Sequence, residues 1–519
     1  MYSLKGLTAM AVLSVAALLT VPSALAGPVD LIIGLKERTP ISTLAENATR
    51  FGITYTPAEI RKAAGPSEDE YRNVIESLKQ QGFTIIKETK SHLFITVRSD
   101  QSTVENTFQT RLSVENGIRR LQSYASLPSY LGAVKTVVGL DNSNKRKPHF
   151  KVLNAESTAV YSAMANKKPH TPPGVSPATI KTSYGFDPIY KTGVTGKGQA
   201  IAIATYDGLK VPEITAYFTK IGLKTKRTVD VISFNGTAPY NADSAMETEL
   251  DAEFAGMIAP GSDIHVFASN ENSDAGELAM FTAILDDNRA KVVNYSWGSC
   301  EKNLSPAHKT AMDTVFSQAV AQGVNIMVAS GDSGSDGCGD GSIVTDYPSS
   351  NPNVTSVGGT TLVATKSAFE TAWSGSGGGV SGIYATPSYQ SSLGSAYVKR
   401  AVPDVAFNAD PKTGEAAWET NSGGSSSSPT WVILGGTSIA APQWAGFLAL
   451  VGEARAKAKL KSVGFVNPIL YGLSAADKAT NFSDVISGSN GKYKAATGYD
   501  AVTGLGSMKA SALFSKLTK

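Results

Sequence analysis

Short, mostly apolar runs alternate with longer stretches of helical spacing through the middle of this chain. Ala200-Ile201-Ala202-Ile203-Ala204, Ile264 to Ala268, Val292-Val293 with its neighbours, and Asn325 to Ala329 are the short runs. Asp243 to Ile258, Ala275 to Asp286 and Pro306 to Gln322 lie between them. Buried strands that alternate with helices predict an α/β fold with a parallel, doubly wound sheet. The earlier part reads differently. Glu68 to Gln81 is a helix with Val74 and Leu78 on one face, Phe83 to Ile86 and Leu93 to Val97 are strands, and Ser102 to Phe108 is a second helix. That is a small α+β unit over residues 27–150, which suits a 519-residue chain too long for one domain. Beyond Gly334 the chain turns rich in Gly and Ser, with long loops around Ser374 to Ser381 and Gly423 to Ser428. Such loops in a large α/β domain more often border a site than link domains.

The first 26 residues follow another pattern. Lys5 precedes the apolar run Leu7 to Val21, and Ala24-Leu25-Ala26 follows it. A charged start, an apolar centre and small residues read as a signal peptide. The run is short for a membrane span of ~20 residues. The expected protein is exported, extracellular or periplasmic, with no membrane anchor. Its two cysteines, Cys300 and Cys338, then meet an oxidising compartment and either form one disulfide or stay as two thiols. Both follow strands leading toward the site described below, and the expectation is that they are joined. Two cysteines alone make a poor metal site.

The net charge of +3 hides an asymmetry. Residues 1–176 hold 21 Lys and Arg against 14 Asp and Glu, and residues 177–519 hold 26 against 30. A basic first part and an acidic second part point to docking of one on the other. The basic residues are scattered rather than clustered with aromatics, which argues against nucleic acid. Lys145 to Pro177, with Lys145-Arg146-Lys147 and Thr171-Pro172-Pro173-Gly174, reads as an exposed linker open to proteolysis. Residues 151–176 are the expected processing region, ahead of a domain over 177–519.

Three segments carry candidate chemistry. In Gly435-Gly436-Thr437-Ser438-Ile439-Ala440-Ala441-Pro442, an apolar approach meets a Gly-Gly turn and a Ser opens a helix. The helix N-terminus would stabilise negative charge developing there, although a lone Ser in that place is usually a cap. None of the five histidines is set as a base for Ser438: His92, His149 and His170 precede the last domain, His265 lies in a strand and His308 in a polar helix start. The helix from Asp243 offers carboxyls instead. Met246, Leu250, Phe254, Met257 and Ile258 form an apolar arc, with Glu247 inside it and Asp251 at its edge. Burial and like charge both raise carboxyl pKa values, so this pair would hold a shared proton. Glu249 and Glu253 fall on the other side, as a solvated acidic face. The third segment, Ser330-Gly331-Asp332-Ser333-Gly334, follows a buried strand at the sheet edge where α/β sites form. Asp332 can donate a hydrogen bond only when protonated.

Taken together, Glu247-Thr248-Glu249-Leu250-Asp251, Ser330-Gly331-Asp332-Ser333-Gly334 and Gly436-Thr437-Ser438 resemble the sedolisin family of serine-carboxyl peptidases. The resemblance implies a subtilisin-like fold and acid action. Ser438 would be the nucleophile, Glu247 the general base, Asp251 its supporting acid and Asp332 the oxyanion donor. Ser330 and the Gly377 to Ser381 loop would line the cleft. Residues 52–150 resemble the family's ferredoxin-like pro-domain, which blocks the cleft and assists folding. Phe482-Ser483-Asp484-Val485 with Gly498-Tyr499-Asp500 resembles its calcium site. One ion would bind the side chains of Asp484 and Asp500 and the main-chain oxygens of Val485, Ala496 and Gly498. Thr205 stands where some members extend the acid network with Glu, while Trp297 is present.

The implied protein is a secreted, monomeric, self-processing endopeptidase acting on proteins or peptides, inhibited by its own pro-domain. A tripeptidyl exopeptidase of the same fold differs in having a cleft closed beyond three substrate residues. A non-catalytic binding protein on the scaffold would be expected to have lost one of the four residues.

Overall fold

Strand-forming runs of Val, Ile and Ala build the central sheet of the protein, a computed structural model that describes residues 27–153, 174–223, 227–363, 369–420 and 429–519. The signal segment, the linker from residue 154 to 173 and the Gly423 to Ser428 loop lie outside the described residues. Among the described residues the sheet runs in the order Val229–Val231, Asp263–Ala268, Ala200–Thr205, Val292–Tyr295, Asn325–Ala329, Thr355–Val363, Val405–Asn408, Ser507–Met508 and Phe482–Ser483. The first eight are parallel to their neighbours, and Phe482–Ser483 pairs antiparallel. Chain order reverses beside Ala200–Thr205, the place where crevices open at the carboxyl ends of strands.

The helices Ala242–Ile258 and Thr437–Lys457 pack in one core cluster against this sheet. Gly446 lets them approach closely. A Cβ there would meet Ala255 O at 2.8 Å and Ile258 Cβ at 2.8 Å. A mid-helix glycine costs about 1 kcal/mol in propensity, and here it sets the spacing that brings Glu247 to Ser438. Cys300 and Cys338 are joined, as expected, with Cα atoms 4.6 Å apart.

The first unit is a four-stranded antiparallel sheet, ordered Thr84–Glu88, Phe94–Ser99, Val29–Leu35, Val134–Val138. With helices after its first and third strands, this is the ferredoxin-like order. It sits on the larger domain through a shared apolar cluster in which Ile41, Leu44, Phe94 and Val138 meet Phe281, Val315 and Phe316. Polar contacts are fewer. Lys90 donates to Asp286 Oδ1 at 3.0 Å and Asp286 O at 2.8 Å, and Thr136 donates to Ala307 O at 3.1 Å. Apolar burial therefore adds to the docking that charge alone suggested. No helix among the described residues is long and apolar enough to cross a membrane.

Two expectations fail. Residues 145–153 are no exposed linker. They cross the mouth of the larger domain as two short strands, Lys147–Pro148 against Trp297–Cys300 and Lys151–Val152 against Thr430–Gly435, with Arg146 and His149 buried. Glu249 and Glu253 are no solvated face, since both are at most 1% exposed. From Ala245 to Ile258 the helix is covered on all sides, so Glu247, Glu249, Asp251 and Glu253 are buried whichever way they point.

Candidate active site

The structure brings Ser438, Glu247, Asp251 and Asp332 together around one stretch of backbone. Ser438 Oγ donates to Glu247 Oε2 at 2.8 Å. The same oxygen accepts the His149 N–H at 3.1 Å. His149 N–H also faces Ser296 O at 3.1 Å, and His149 O accepts the Ser438 N–H at 2.9 Å. The peptide of His149 is thus clasped on both sides at the serine.

Burial and the charge of Asp251 push the Glu247 pKa well up, against the lowering by Ser438. Burial does the same to Asp251, whose Oδ1 accepts from Ser296 Oγ at 2.7 Å. Glu247 Oε1 and Asp251 Oδ2 are buried with no hydrogen-bond partner among the described residues. They belong to carboxyls one helical turn apart, and one shared proton would satisfy both. Beyond them, Thr205 Oγ1 lies 2.7 Å from Thr248 Oγ1 and accepts from Trp297 Nε1 at 3.2 Å. Thr248 Oγ1 lies 3.1 Å from Asp207 O, so position 205 supplies a neutral hydroxyl there.

Asp332 Oδ1 accepts from Thr437 N at 2.8 Å and Thr437 Oγ1 at 2.9 Å. Its Oδ2 is buried without a partner among the described residues. Burial nevertheless raises its pKa to about 7, so in acid it carries a proton to donate. The bare face of Gly436, at φ +106°, explains how that donor meets the backbone. A Cβ there would strike His149 O, Asp332 Oδ2 at 2.5 Å and Phe150 Cα at 2.7 Å.

Sequence reasoning missed the occupants. The His149 ring is buried with Nε2 3.4 Å from Asp346 Oδ2. Burial lowers the His149 pKa to about 4 and raises that of Asp346 well above its usual range, so the contact joins two neutral groups. Gly298 makes room, since a Cβ there would meet His149 Nε2 at 2.6 Å and Asp346 Oδ1 at 2.7 Å. Gly377 donates to Gly331 O at 2.8 Å, beside the buried Ser330, which places this loop on the cleft wall. Lys151 donates to Asp332 O at 2.7 Å and borders a cavity of about 520 Å³ with Trp373 and Asp410. The signal available in the sequence was Pro148-His149-Phe150 within a strand-length segment, masked by its basic neighbours.

The five expected metal ligands lie on two segments, Asp484 and Val485 on one and Ala496, Gly498 and Asp500 on the other, joined by a hydrogen bond. Asp484 Oδ2 accepts from Gly498 N at 2.9 Å and Asp500 Oδ2 from Ala496 N at 3.1 Å. Neither carboxylate has a Lys or Arg ion pair among the described residues. Asp500 is 2% exposed. Asp500 Oδ1 also accepts from Val502 N at 2.9 Å and Thr503 N at 2.9 Å, so the turn is already closed by its own N–H groups, and the two carboxylates are the acidic oxygens it could offer a hard cation.

The chain is similar to several known proteins. Residues 234–464 match the subtilase family and residues 42–143 match the pro-kumamolisin activation domain. Kumamolisin from Bacillus sp. (strain MN-32) is 35% identical over 406 residues, covering 72% of this chain and 68% of kumamolisin. Tripeptidyl-peptidase 1 from Canis lupus familiaris is 29% identical over 379 residues, covering 67% and 65%. The structure of Pseudomonas sedolisin, a serine-carboxyl proteinase complexed with two molecules of pseudo-iodotyrostatin, superposes with a TM-score of 0.59 at 29% identity, covering 67% of this chain and 98% of sedolisin. The chain belongs to the sedolisin family, the serine-carboxyl peptidases of subtilisin-like fold, and carries an activation domain ahead of its peptidase domain.

Proposed function

We propose that the protein is an exported, acid-acting endopeptidase made as a self-processing zymogen over residues 27–519, with the pro-domain lying within residues 27–150, and that His149–Phe150, just ahead of the expected 151–176 processing region, is the first bond it cuts. One observation carries the reading: His149 O accepts from Ser438 N while Ser438 Oγ donates to Glu247. Ser438 Oγ attacks the His149 carbonyl carbon as its proton passes to Glu247 Oε2, with the proton of Asp251 offsetting charge on the pair. The oxyanion forms between Ser438 N–H and the protonated Oδ2 of Asp332. Glu247 then hands the proton to the departing Phe150 nitrogen, leaving an ester on Ser438. Water activated by Glu247 releases it by the reverse sequence. Export rests on Lys5, the run Leu7 to Val21 and Ala24-Leu25-Ala26.

Endopeptidase action is favoured over tripeptide release because the bound segment continues past the third residue before the bond. Arg146, the fourth, is itself enclosed by the larger domain. The purified precursor, shifted to acid, should yield Phe150 as its first new N-terminus, and Ser438→Ala should stay intact. Maturation of Ser438→Ala at the unaltered rate with no other protease present would end the proposal. So would a product mixture of successive tripeptides from an unstructured protein, which would assign exopeptidase action instead.

Calcium is proposed as a structural ion held by Asp484, Asp500 and the main-chain oxygens of Val485, Ala496 and Gly498. It would tie the segment of Asp484 to that of Gly498 and Asp500. Calcium at 100 times its dissociation constant should stabilise the fold by ~2.7 kcal/mol. An unchanged melting temperature after chelation, with no metal by elemental analysis, would remove the ion from the picture.

A further inference from the structure

The segment in the cleft offers three consecutive cations, and the fold takes only the middle one. Lys145 and Lys147 are exposed, while Arg146 is 3% exposed. Its Nη2 lies 2.7 Å from Asp274 Oδ1, 2.7 Å from Glu277 Oε2 and 2.8 Å from His308 Nε2. Its Nη1 donates to Asn144 O at 3.0 Å. The main chain is fixed as firmly. Arg146 N donates to Asn272 Oδ1 at 2.8 Å, and Asn272 Nδ2 donates back to Arg146 O at 2.9 Å. Glu277 Oε1 accepts from Tyr295 OH at 2.7 Å, which sits 2.9 Å from Tyr206 OH. The walls are therefore built, with each acid held by a second group.

Arg146 stands three residues before His149. Lys147 and Pro148 between them pair antiparallel with Gly298 and Trp297 in register, so the strand geometry fixes where a fourth residue goes. Asn272, Asp274, Glu277, Tyr295 and His308 all lie after residue 177. They stay with the peptidase when the segment leaves.

We infer that this pocket is a substrate subsite of the mature enzyme, and that it selects peptides with arginine three residues before the residue whose carbonyl meets Ser438. The inference rests on the peptidase reading above. The physical ground is the charge count. Two carboxylates, both at most 8% exposed, would face each other across an emptied pocket. A cation entering there regains what Arg146 provided, whereas a neutral residue leaves Glu277 with His308 and Tyr295 and Asp274 with Ser305, and the pair without the guanidinium between them. Burial tends to raise the Glu277 pKa, but the charge of Arg146 and the bonds from His308 and Tyr295 bring it down to about 2 while the pocket is filled, so the acceptor stays ionised in acid. The planar guanidinium reaches Asp274, Glu277 and Asn144 O at once, from two nitrogens. A lysine ammonium on its single stem does not present that fork.

The test uses the matured enzyme and synthetic peptides copying residues 144–152, with the Arg146 position carrying arginine, citrulline, lysine or alanine. Citrulline keeps the shape and removes the charge. The arginine peptide should be cut at the His-Phe bond with kcat/KM at least about tenfold above citrulline and alanine, with lysine between. Glu277→Gln should bring the arginine-to-citrulline ratio toward one. Should that variant not fold, the peptide series on the unaltered enzyme decides alone. Equal kcat/KM across the series would overturn the inference and leave the pocket as an anchor for the pro-segment only. Cleavage of none of the peptides would instead remove the peptidase reading, and this subsite with it.

Discussion

The helix Ala242–Ile258 carries buried acids on two faces, and the two sets keep different company. On one, Glu247 and Asp251 meet Ser438, Ser296 and the backbone of His149. On the other, Glu249 meets Glu213 and Glu419, with carboxylate oxygens of the three within 4.8 Å of one another. Glu253 accepts from Trp418 N at 3.1 Å, Glu249 from Lys210 N at 2.6 Å, and Lys210 Nζ lies 3.0 Å from Glu213. Both Glu419 oxygens are buried without a partner among the described residues. Burial raises the pKa of Glu247, Asp251, Glu249, Glu253 and Glu419 alike. A raised carboxyl therefore does not mark catalysis in this protein. The distinguishing mark is a hydroxyl and a peptide carbonyl within reach. The second face reads instead as acids that share protons and bind the helix to the strand Glu415–Glu419.

Substitution should separate the two faces sharply. Glu247→Gln removes the acceptor for the Ser438 proton, and turnover should fall by about 100- to 10,000-fold in a protein that still folds. Glu249→Gln should leave turnover within about threefold, since general acid–base work is not lost. Comparable losses in both, measured on matured enzyme, would erase the distinction.

Asp332 sharpens the same contrast through pH. It donates while protonated, so activity should decline as pH rises through about 7. Asp332→Ala should lose ~100- to 1000-fold in turnover. Asp332→Asn donates at any pH and should flatten the alkaline limb. A pH–rate profile unchanged in Asp332→Asn would move that decline to another group.

The outer set should show itself in stability rather than rate. Burial holds Glu253 and Glu419 above the ordinary carboxyl value near ~4.3. Their contribution is complete below that value and is lost as pH rises through the folded-state pKa. Glu419→Gln should therefore raise the melting temperature at neutral pH, by about 1 kcal/mol in stability, with little change in acid. Equal shifts at both pH values would show that the carboxyl proton plays no part.

The reacting residues were legible in sequence because each is tied to a local pattern: Glu247 to its place in an apolar arc, Asp332 to the end of a buried strand, and Ser438 to a Gly-Gly turn opening a helix. The burial of Glu249 and Glu253 was not, since periodicity reports which face is apolar and not whether a hairpin covers the rest. Arg146 and His149 were hidden for a related reason. Their neighbours Lys145, Lys147 and Pro148 have the composition of an exposed linker, and the side chains of the larger domain that hold them stand at least 98 residues away in the chain. Thr205 was legible as a residue other than Glu, and only the structure shows that Trp297 Nε1 donates to it.

On the proposed function, the clasp on His149 would also set the order of the first reaction. The bond to be cut is delivered by the same chain that carries Ser438, so no encounter between molecules precedes it. Holding two reacting groups in place amounts to effective concentrations of about 10⁵–10⁸ M in well-oriented cases. The half-life of the first cut should then be the same in dilute and concentrated precursor, and any acceleration with concentration should belong to later cuts, when freed enzyme meets its neighbours.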